Sequence, residues 1–490
     1  MMTKKFLIAA ALMLGSLMFT PSAEAAVETY VGTGEYVMSS FETPDIAQQR
    51  AQVYAERDAQ EQAGVFIRSQ SRLENFKLTQ DEIITMTSGV VEIINAEVKL
   101  VSIEDNVSKY IATVTVKIDT TNIDRWLEKD VQERLELVDQ NRELRWKIEE
   151  QEAEIARLKK QYATATSARE REELAREFQR VDDEFTALQK LEEGNKFRAN
   201  KKYREALTSY DEAIKIDAML STAFFGCGAS YVELRECERA IPEFTRAIEL
   251  NHNYAEAYNY RGGAYYGLKN YTSAIADCTK AIELKPTFAW AYNLRGISYY
   301  SLKDYSRAIA DYSKAIEYSS DYLIAYNNRG NAYKALKEYS RAIADYTKVI
   351  ELNSNNAMTY NSRGVAYQYL KEYSRAVADY TRAIEIDPNF AGAYGNRGLV
   401  YNNLGEFTRA IVDHTKAIEL DPKFAGAYRN RGNAYFSLGE SERAISDCTK
   451  AIELNPNDAS AYRIRGNAYK ALGETAKAQT DFDKVKSLGG

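Results

Sequence analysis

The 490-residue sequence is poor in the side chains that most chemistry uses. It has two histidines, His252 and His414, and four cysteines, Cys227, Cys237, Cys278 and Cys448. No C-x-x-C pair occurs, and the spacings form neither a disulfide framework nor a zinc site. Buried free thiols are the expectation. A P-loop, a zinc motif and a nucleophile elbow are all missing. Gly32-x-Gly34 follows a possible strand but lacks the rest of a dinucleotide fingerprint. There is no excess of positive charge: 64 Lys and Arg are interspersed with 71 Asp and Glu, for a net charge of -7. A nucleic-acid partner is therefore not expected. Past the first twenty-odd residues no apolar run could span a bilayer. No enzyme, cofactor or metal is expected from this inventory.

The N-terminus has the parts of a secretory signal. Lys4 and Lys5 give the positive start, Phe6 to Phe19 an uncharged apolar stretch, and Ala23-Glu24-Ala25 the small residues of a cleavage site after Pro21. The run is shorter than the ~20 residues a membrane span needs. The expectation is that Met1–Ala25 is removed and the chain is exported to a periplasm, a cell envelope or the medium.

What the sequence does have is repetition. Glycine recurs every 34 residues at Gly194, Gly228, Gly262, Gly296, Gly330, Gly364, Gly398, Gly432 and Gly466. Twelve residues after each comes alanine, from Ala206 to Ala478, and three residues after each comes an aromatic, Phe197 and then Tyr231 through Tyr469. In Leu323 to Asn356, Tyr326, Gly330 and Tyr333 share one helical face. A loop near Lys337-Glu338 follows, and Ala342, Tyr346 and Val349 share a face of a second helix. The small residues let the two helices approach. Pro286, Pro388, Pro422 and Pro456 stand just past second helices, where proline stops the helix.

These residues resemble the tetratricopeptide repeat (TPR) family over about 187–490. The resemblance implies a mostly α fold: a solenoid of nine helical hairpins of 34 residues, offering a concave groove to peptides or proteins. One departure is regular. The family often has Leu before the glycine, whereas seven units have Arg, at Arg261, Arg295, Arg329, Arg363, Arg397, Arg431 and Arg465. Sixteen residues after each stands Asp277, Asp311, Asp345, Asp379, Asp413, Asp447 or Asp481, and the first two units lack both members. A structural ion pair is the reading; an arginine ladder for anionic ligands is the alternative. In unit nine, Gln479 and Lys486 replace the usual aliphatics, as a solubilising cap would. His414, Cys278 and Cys448 take the second-helix aromatic position and are expected to pack.

Two regions precede the repeats. Residues 131–190 carry two apolar heptad series, Leu137, Leu144, Ile148, Ile155, Leu158 and Tyr162, then Leu174, Phe178, Val181, Phe185 and Leu188, with Asn141 and Gln151 as polar interruptions. A coiled coil or long helical linker over 129–186 is expected. One long helix, a hairpin and self-association through 131–190 all remain open. Residues 26–128 read as a small α+β domain. A helix starts at Thr43-Pro44 with a ridge of Ala47, Ala51, Ala55, Ala59 and Ala63. Val65 to Arg72 reads as a strand, Thr79 to Ile94 as a helix, and Val98–Ile103 with Tyr110–Ile118 as a hairpin. This pattern loosely resembles a small domain of bacterial outer-membrane lipoproteins and flagellar-ring accessory proteins, which implies envelope attachment.

The binding face is expected one step round the first helices from the Tyr–Gly–Tyr core. It comprises Asn259, Asn293, Asn327 and Asn361, with Arg429 and Arg463 at the equivalent place later. Asn331, Asn433 and Asn467 lie one turn on, with Trp290, Tyr266 and Tyr300 nearby. Asparagine donates and accepts, so a row can hold a peptide backbone. Two functions follow: an exported protein–protein interaction scaffold that grips peptides, or a structural envelope component held by its N-terminal domain and coiled coil.

Overall fold

A computed structural model of the chain describes residues 27–38, 43–73, 83, 86, 87, 91–104, 107–119 and 131–489. The proposed signal Met1–Ala25 lies outside them. The chain forms two compact units, Met1–Leu234 and Arg235–Gly490. The division falls inside the second 34-residue repeat.

The first unit opens with strand β1 (Val27–Val37), helix α1 (Pro44–Leu73) and strands β2 (Val91–Glu104) and β3 (Val107–Asp119). The sheet order is β1-β3-β2, with both pairings antiparallel. Alternation in β3 turns Tyr110, Ala112, Val114, Val116 and Ile118 inward, and all five are buried. The alanine ridge of α1 packs against them, with Ala47, Ala51, Ala55, Ala59 and Ala63 wholly buried. Gly32 and Gly34 lie within β1 rather than after it. A Cβ on Gly32 would stand 2.1 Å from the Ala55 carbonyl oxygen, and one on Gly34 would stand 2.3 Å from the Ala55 nitrogen. The Gly-x-Gly is thus a seat for the helix backbone.

Two expectations for this region fail. Val65 to Arg72 is not a strand but the last two turns of α1, where Ile67 extends the alanine ridge by one more i+4 step and is wholly buried. The helix expected over Thr79–Ile94 holds at Ile83, Met86 and Thr87, but Val91 to Ile94 already belong to β2. The rest of that segment lies outside the described residues. Pro44 does begin α1, and β2 with β3 forms the expected hairpin.

Helices α2 (Val131–Thr164) and α3 (Ala168–Ala199) follow. Of the open alternatives, the structure takes the hairpin. The chain turns at 165–167, and the Ser167 hydroxyl caps α3 by accepting from the Glu170 N–H at 3.1 Å. Leu144, Ile148, Ile155 and Leu158 of α2 share one core with Phe178, Val181, Phe185 and Leu188 of α3. The described apolar heptad positions therefore pack within the chain. Nor does α3 stop near residue 186. It runs on to Ala199, so its last turns, with Gly194 and Phe197, form the first helix of repeat one against α4 (Tyr203–Ile216). Helix α5 (Ser221–Glu233) ends this unit.

The second unit contains fifteen helices, from Cys237–Leu250 to Thr475–Ser487. They alternate as the first and second arms of hairpins. In the pair Leu323–Ala335 and Tyr339–Leu352, a Cβ on Gly330 would lie 2.7 Å from the Tyr346 ring, so only glycine leaves room for that aromatic. Ala342 beside it is wholly buried. At the turn between the arms, Lys269, Lys303, Lys337 and Lys371 adopt left-handed backbone, with φ between 58 and 63°, as does Arg235. Repeats seven to nine place Gly405, Gly439 and Gly473 there. Gln479 and Lys486 of the helix Thr475–Ser487 are exposed.

Candidate functional site

The arginine row is the most regular polar feature of the second unit. The Arg363 guanidinium donates from Nε and Nη2 to both Asp379 carboxylate oxygens, at 2.8 and 2.7 Å. It also donates from Nη1 to the Thr347 hydroxyl at 3.0 Å. Thr347 lies in the preceding hairpin, so each guanidinium joins two repeats. The same three bonds recur from Arg261, bound to Asp277 and Thr245, to Arg465, bound to Asp481 and Thr449. The carboxylates are nearly buried, with side-chain exposure of 5–10%. Hydrogen bonding to Asp379 pushes the Arg363 pKa further above its already high range, against the opposing effect of burial. These arginines are committed within the chain, which removes the ladder for anionic ligands. The hydroxyl stands sixteen residues before each Arg in the sequence, the same spacing that separates Arg from Asp.

The expected binding residues divide into committed and free groups. Asn293 is buried, and its Oδ1 accepts from Asn328 Nδ2 of the next first helix at 3.1 Å. Asn361 accepts likewise from Asn396 at 3.0 Å. Asn331 accepts from the Tyr346 hydroxyl at 2.8 Å and so serves its own hairpin. Arg429 pairs with Asp458 at 3.0 Å and is no longer an open cation. Tyr266 approaches Ser301 at 3.3 Å and Tyr271 ring to ring, and Tyr300 meets Tyr305 edge-on. Trp290 packs against the cores of two successive repeats. For these residues, the same hairpin or a neighbouring repeat already supplies what a peptide would have supplied.

Other positions keep unused capacity. Asn259 and Asn327 each bury an Oδ1 with no partner. Asn433 and Asn467 occupy the place of Asn331, but the residues opposite them are Cys448 and Phe482, which bear no hydroxyl for them. Arg463 is exposed. Lys334, absent from the sequence-based set, is partly buried with its ammonium 6.0 Å from the Tyr346 ring centroid. Burial without a carboxylate partner pushes its pKa down. Asn327, Asn331 and Lys334 stand at i, i+4 and i+7 on one helix, hence on one face.

Three of the four cysteines are buried, and all four are free thiols. Burial pushes the Cys448 thiol up to about 12 and the Cys278 thiol higher still, so both are inert. His414 is wholly buried, with Asn402 3.4 Å from its Nε2. Burial first, then Arg431 and Arg429, pushes its pKa down to about 3. Among the described residues no cluster of three or more His, Cys, Asp or Glu could hold a metal ion, and no helix is long and apolar enough to cross a membrane.

Tetratricopeptide repeat models match residues 255–288, 324–356, 357–390 and 425–458, TPR repeat models match 194–235, 296–337 and 398–439, and a further tetratricopeptide repeat model matches 379–412 and 448–480. No curated protein sequence matches the chain. Among solved structures, the chain is similar to YrrB, described as a TPR protein with an unusual peptide-binding site. The identity is 28%, over 38% of this chain and 95% of that one, with a TM-score of 0.33. It is similar at 28% identity to MamA, over 35% of this chain and 93% of that one, with a TM-score of 0.32. A tetratricopeptide repeat protein from Parabacteroides merdae matches at 22% identity, over 48% of this chain and 93% of that one, with a TM-score of 0.41. With the 34-residue hairpins and the matches spread over residues 194–480, the chain belongs to the tetratricopeptide repeat family.

Proposed function

We propose that this protein–protein interaction scaffold holds an extended peptide across the first helices of its second unit, centred on Asn327 and Lys334. The observation that carries the reading is the contrast on that face. Asn293, Asn361 and Arg429 are bonded to neighbouring repeats and Asn331 within its own hairpin, while the Asn327 Oδ1 is buried without a donor and the Lys334 ammonium is partly buried without a carboxylate. A turn of the Asn327 amide toward the groove would offer the first to a peptide N–H, and a peptide carbonyl or carboxylate would satisfy the second. Asn433, Asn467 and Arg463 extend the face toward the last repeats, where Arg463 favours an acidic residue. The composition of Met1–Ala25 supports export, so the partners would be met outside the cytoplasm.

The test is selection of a random peptide library on the full chain, followed by affinity measurement on Asn327→Ala and Lys334→Ala. Each is expected to weaken the selected peptides about tenfold, the worth of one hydrogen bond to a buried or charged group. Selected peptides that bind both variants as tightly as the parent would place the site elsewhere.

A further inference from the structure

The two edges of the N-terminal sheet are treated differently. On β1, the Thr33 N–H donates to Asp58 at 2.9 Å, and Gln62 donates to the Val31 carbonyl at 3.0 Å. Both side chains come from α1, so the helix occupies hydrogen-bonding groups that another strand would need. On β2, no described residue covers the outer edge in this way. This strand is 14 residues long and also carries exposed apolar side chains: Ile93 at 42%, Ile94 at 50%, Leu100 at 49% and Val101 at 55%. A long, apolar, uncapped edge is a template for strand addition.

We propose that β2 pairs antiparallel with β2 of a second copy of this chain, centred on Val98. The strand itself selects this occupant and register. Irregularities at Ile94 and Val101 leave Asn95 to Leu100 as the straight stretch. Within it, Ala96, Val98 and Leu100 lie opposite the inward residues Val114, Ala112 and Tyr110 of β3, so they point to the α1 side. Glu97 and Lys99 lie opposite Thr113 and Ile111 on the other face, 3.0 Å apart at their charged ends. A two-fold partner must keep like faces together, so the axis passes through a residue. An axis at Glu97 sets Glu97 against its own copy, and one at Lys99 sets two lysines together. An axis at Val98 sets Glu97 against Lys99 twice, Val98 against Val98, and Ala96 against Leu100 twice. Like charges directly opposite are unfavourable and unlike charges favourable, so the charges choose the third register. The cleft of about 650 Å³ between α1 and α3 touches β2 only at Val91 and Ile93, outside this stretch. The described heptad residues of α2 and α3 are spent inside the chain and offer no comparable face.

Sedimentation of the full chain tests the pairing. A concentration-dependent dimer is expected. Lys99→Glu and Glu97→Lys should each weaken it about tenfold, because each replaces two attractive pairs by two repulsive ones, and the double exchange E97K/K99E should restore it. As a second readout, Val98→Cys lies on the axis and should crosslink to its own copy under mild oxidation, whereas Thr113→Cys on the central strand should not. A parent that stays monomeric at about 100 μM, far above the range of specific self-association, overturns the proposal. So does a dimer indifferent to both single reversals, or one that the double exchange fails to restore.

Discussion

The two compact units hold their buried charges in opposite ways. Among the described residues the N-terminal unit has one pair buried at both ends, Arg50 with Asp182, joining α1 to α3 across 132 residues of sequence. Arg50 also donates to the Tyr36 hydroxyl at 2.5 Å and lies near the Phe178 and Phe185 rings. In the repeat unit seven of the part-buried pairs form one series, each sixteen residues apart and each tied to a hydroxyl sixteen residues earlier. The first kind orients one helix on another and occurs once. The second is distributed, so a single loss is borne by two repeats and the remainder stand.

The contrast can be broken from either side. Asp182→Ala removes the carboxylate paired with the buried Arg50 guanidinium and should cost about 3–5 kcal/mol. Loss of protection spread over α1 and α3 in hydrogen exchange would confirm it, and a change confined to the ends of these helices would not. Arg363→Ala should cost less, about 2–3 kcal/mol, because the Arg363 side chain is itself 16% exposed against 5% for Arg50, so its removal lets water reach Asp379. The loss should appear only in the hairpins that carry Thr347 and Asp379.

His414 separates the repeats by pH. Its pKa in the folded chain is depressed to about 3, well below the 6.5 of the free side chain. The unfolded chain therefore takes up the proton first as pH falls. The stability from keeping His414 neutral is complete above about pH 6.5 and is lost as pH drops toward 3, at about 1.4 kcal/mol per pH unit. His414→Tyr restores the residue of repeats four to six, where Gly296, Gly330 and Gly364 already accommodate the ring. Denaturant midpoints at pH 7 and pH 5 should converge in that variant; an unchanged difference would place the acid sensitivity elsewhere. The smallest effect is at the turns. Lys303→Gly should stabilise by about 1 kcal/mol, because Lys303 holds φ at 63° where repeats seven to nine use glycine. Thermal unfolding measures it, and destabilisation would show that Lys303 has a contact worth more than its backbone cost.

Repetition also decides what could be read in advance. The Arg363–Asp379 pairing was legible because its members recur together in seven units and are absent together from two. Arg50–Asp182 left no such trace, since nothing in the sequence relates two single residues so far apart. Val65, Phe66 and Ile67 look like a strand by side-chain shape, yet the alanine step of four continues through Ile67, and tertiary packing on the sheet kept the helix. The binding face was legible as a position but not as a state. Asn327 and Asn361 are equivalent by register, but only Asn361 is followed one repeat later by an asparagine that bonds to it, Asn396. Asn331 differs from Asn433 because its own hairpin presents Tyr346 rather than Cys448.

That each arginine joins two repeats rather than one is most directly tested at Thr347 and Arg363. Thr347→Val, Arg363→Ala and the double variant, with hydrogen-exchange protection followed in helices Tyr339–Leu352 and Ala357–Tyr369, measure the coupling across the repeat boundary. Thr347→Val is expected to cost about 1 kcal/mol in the parent and close to nothing once Arg363 is gone. Equal costs in both backgrounds would mean that the hydroxyl and the guanidinium act independently and that the boundary is held by apolar packing alone.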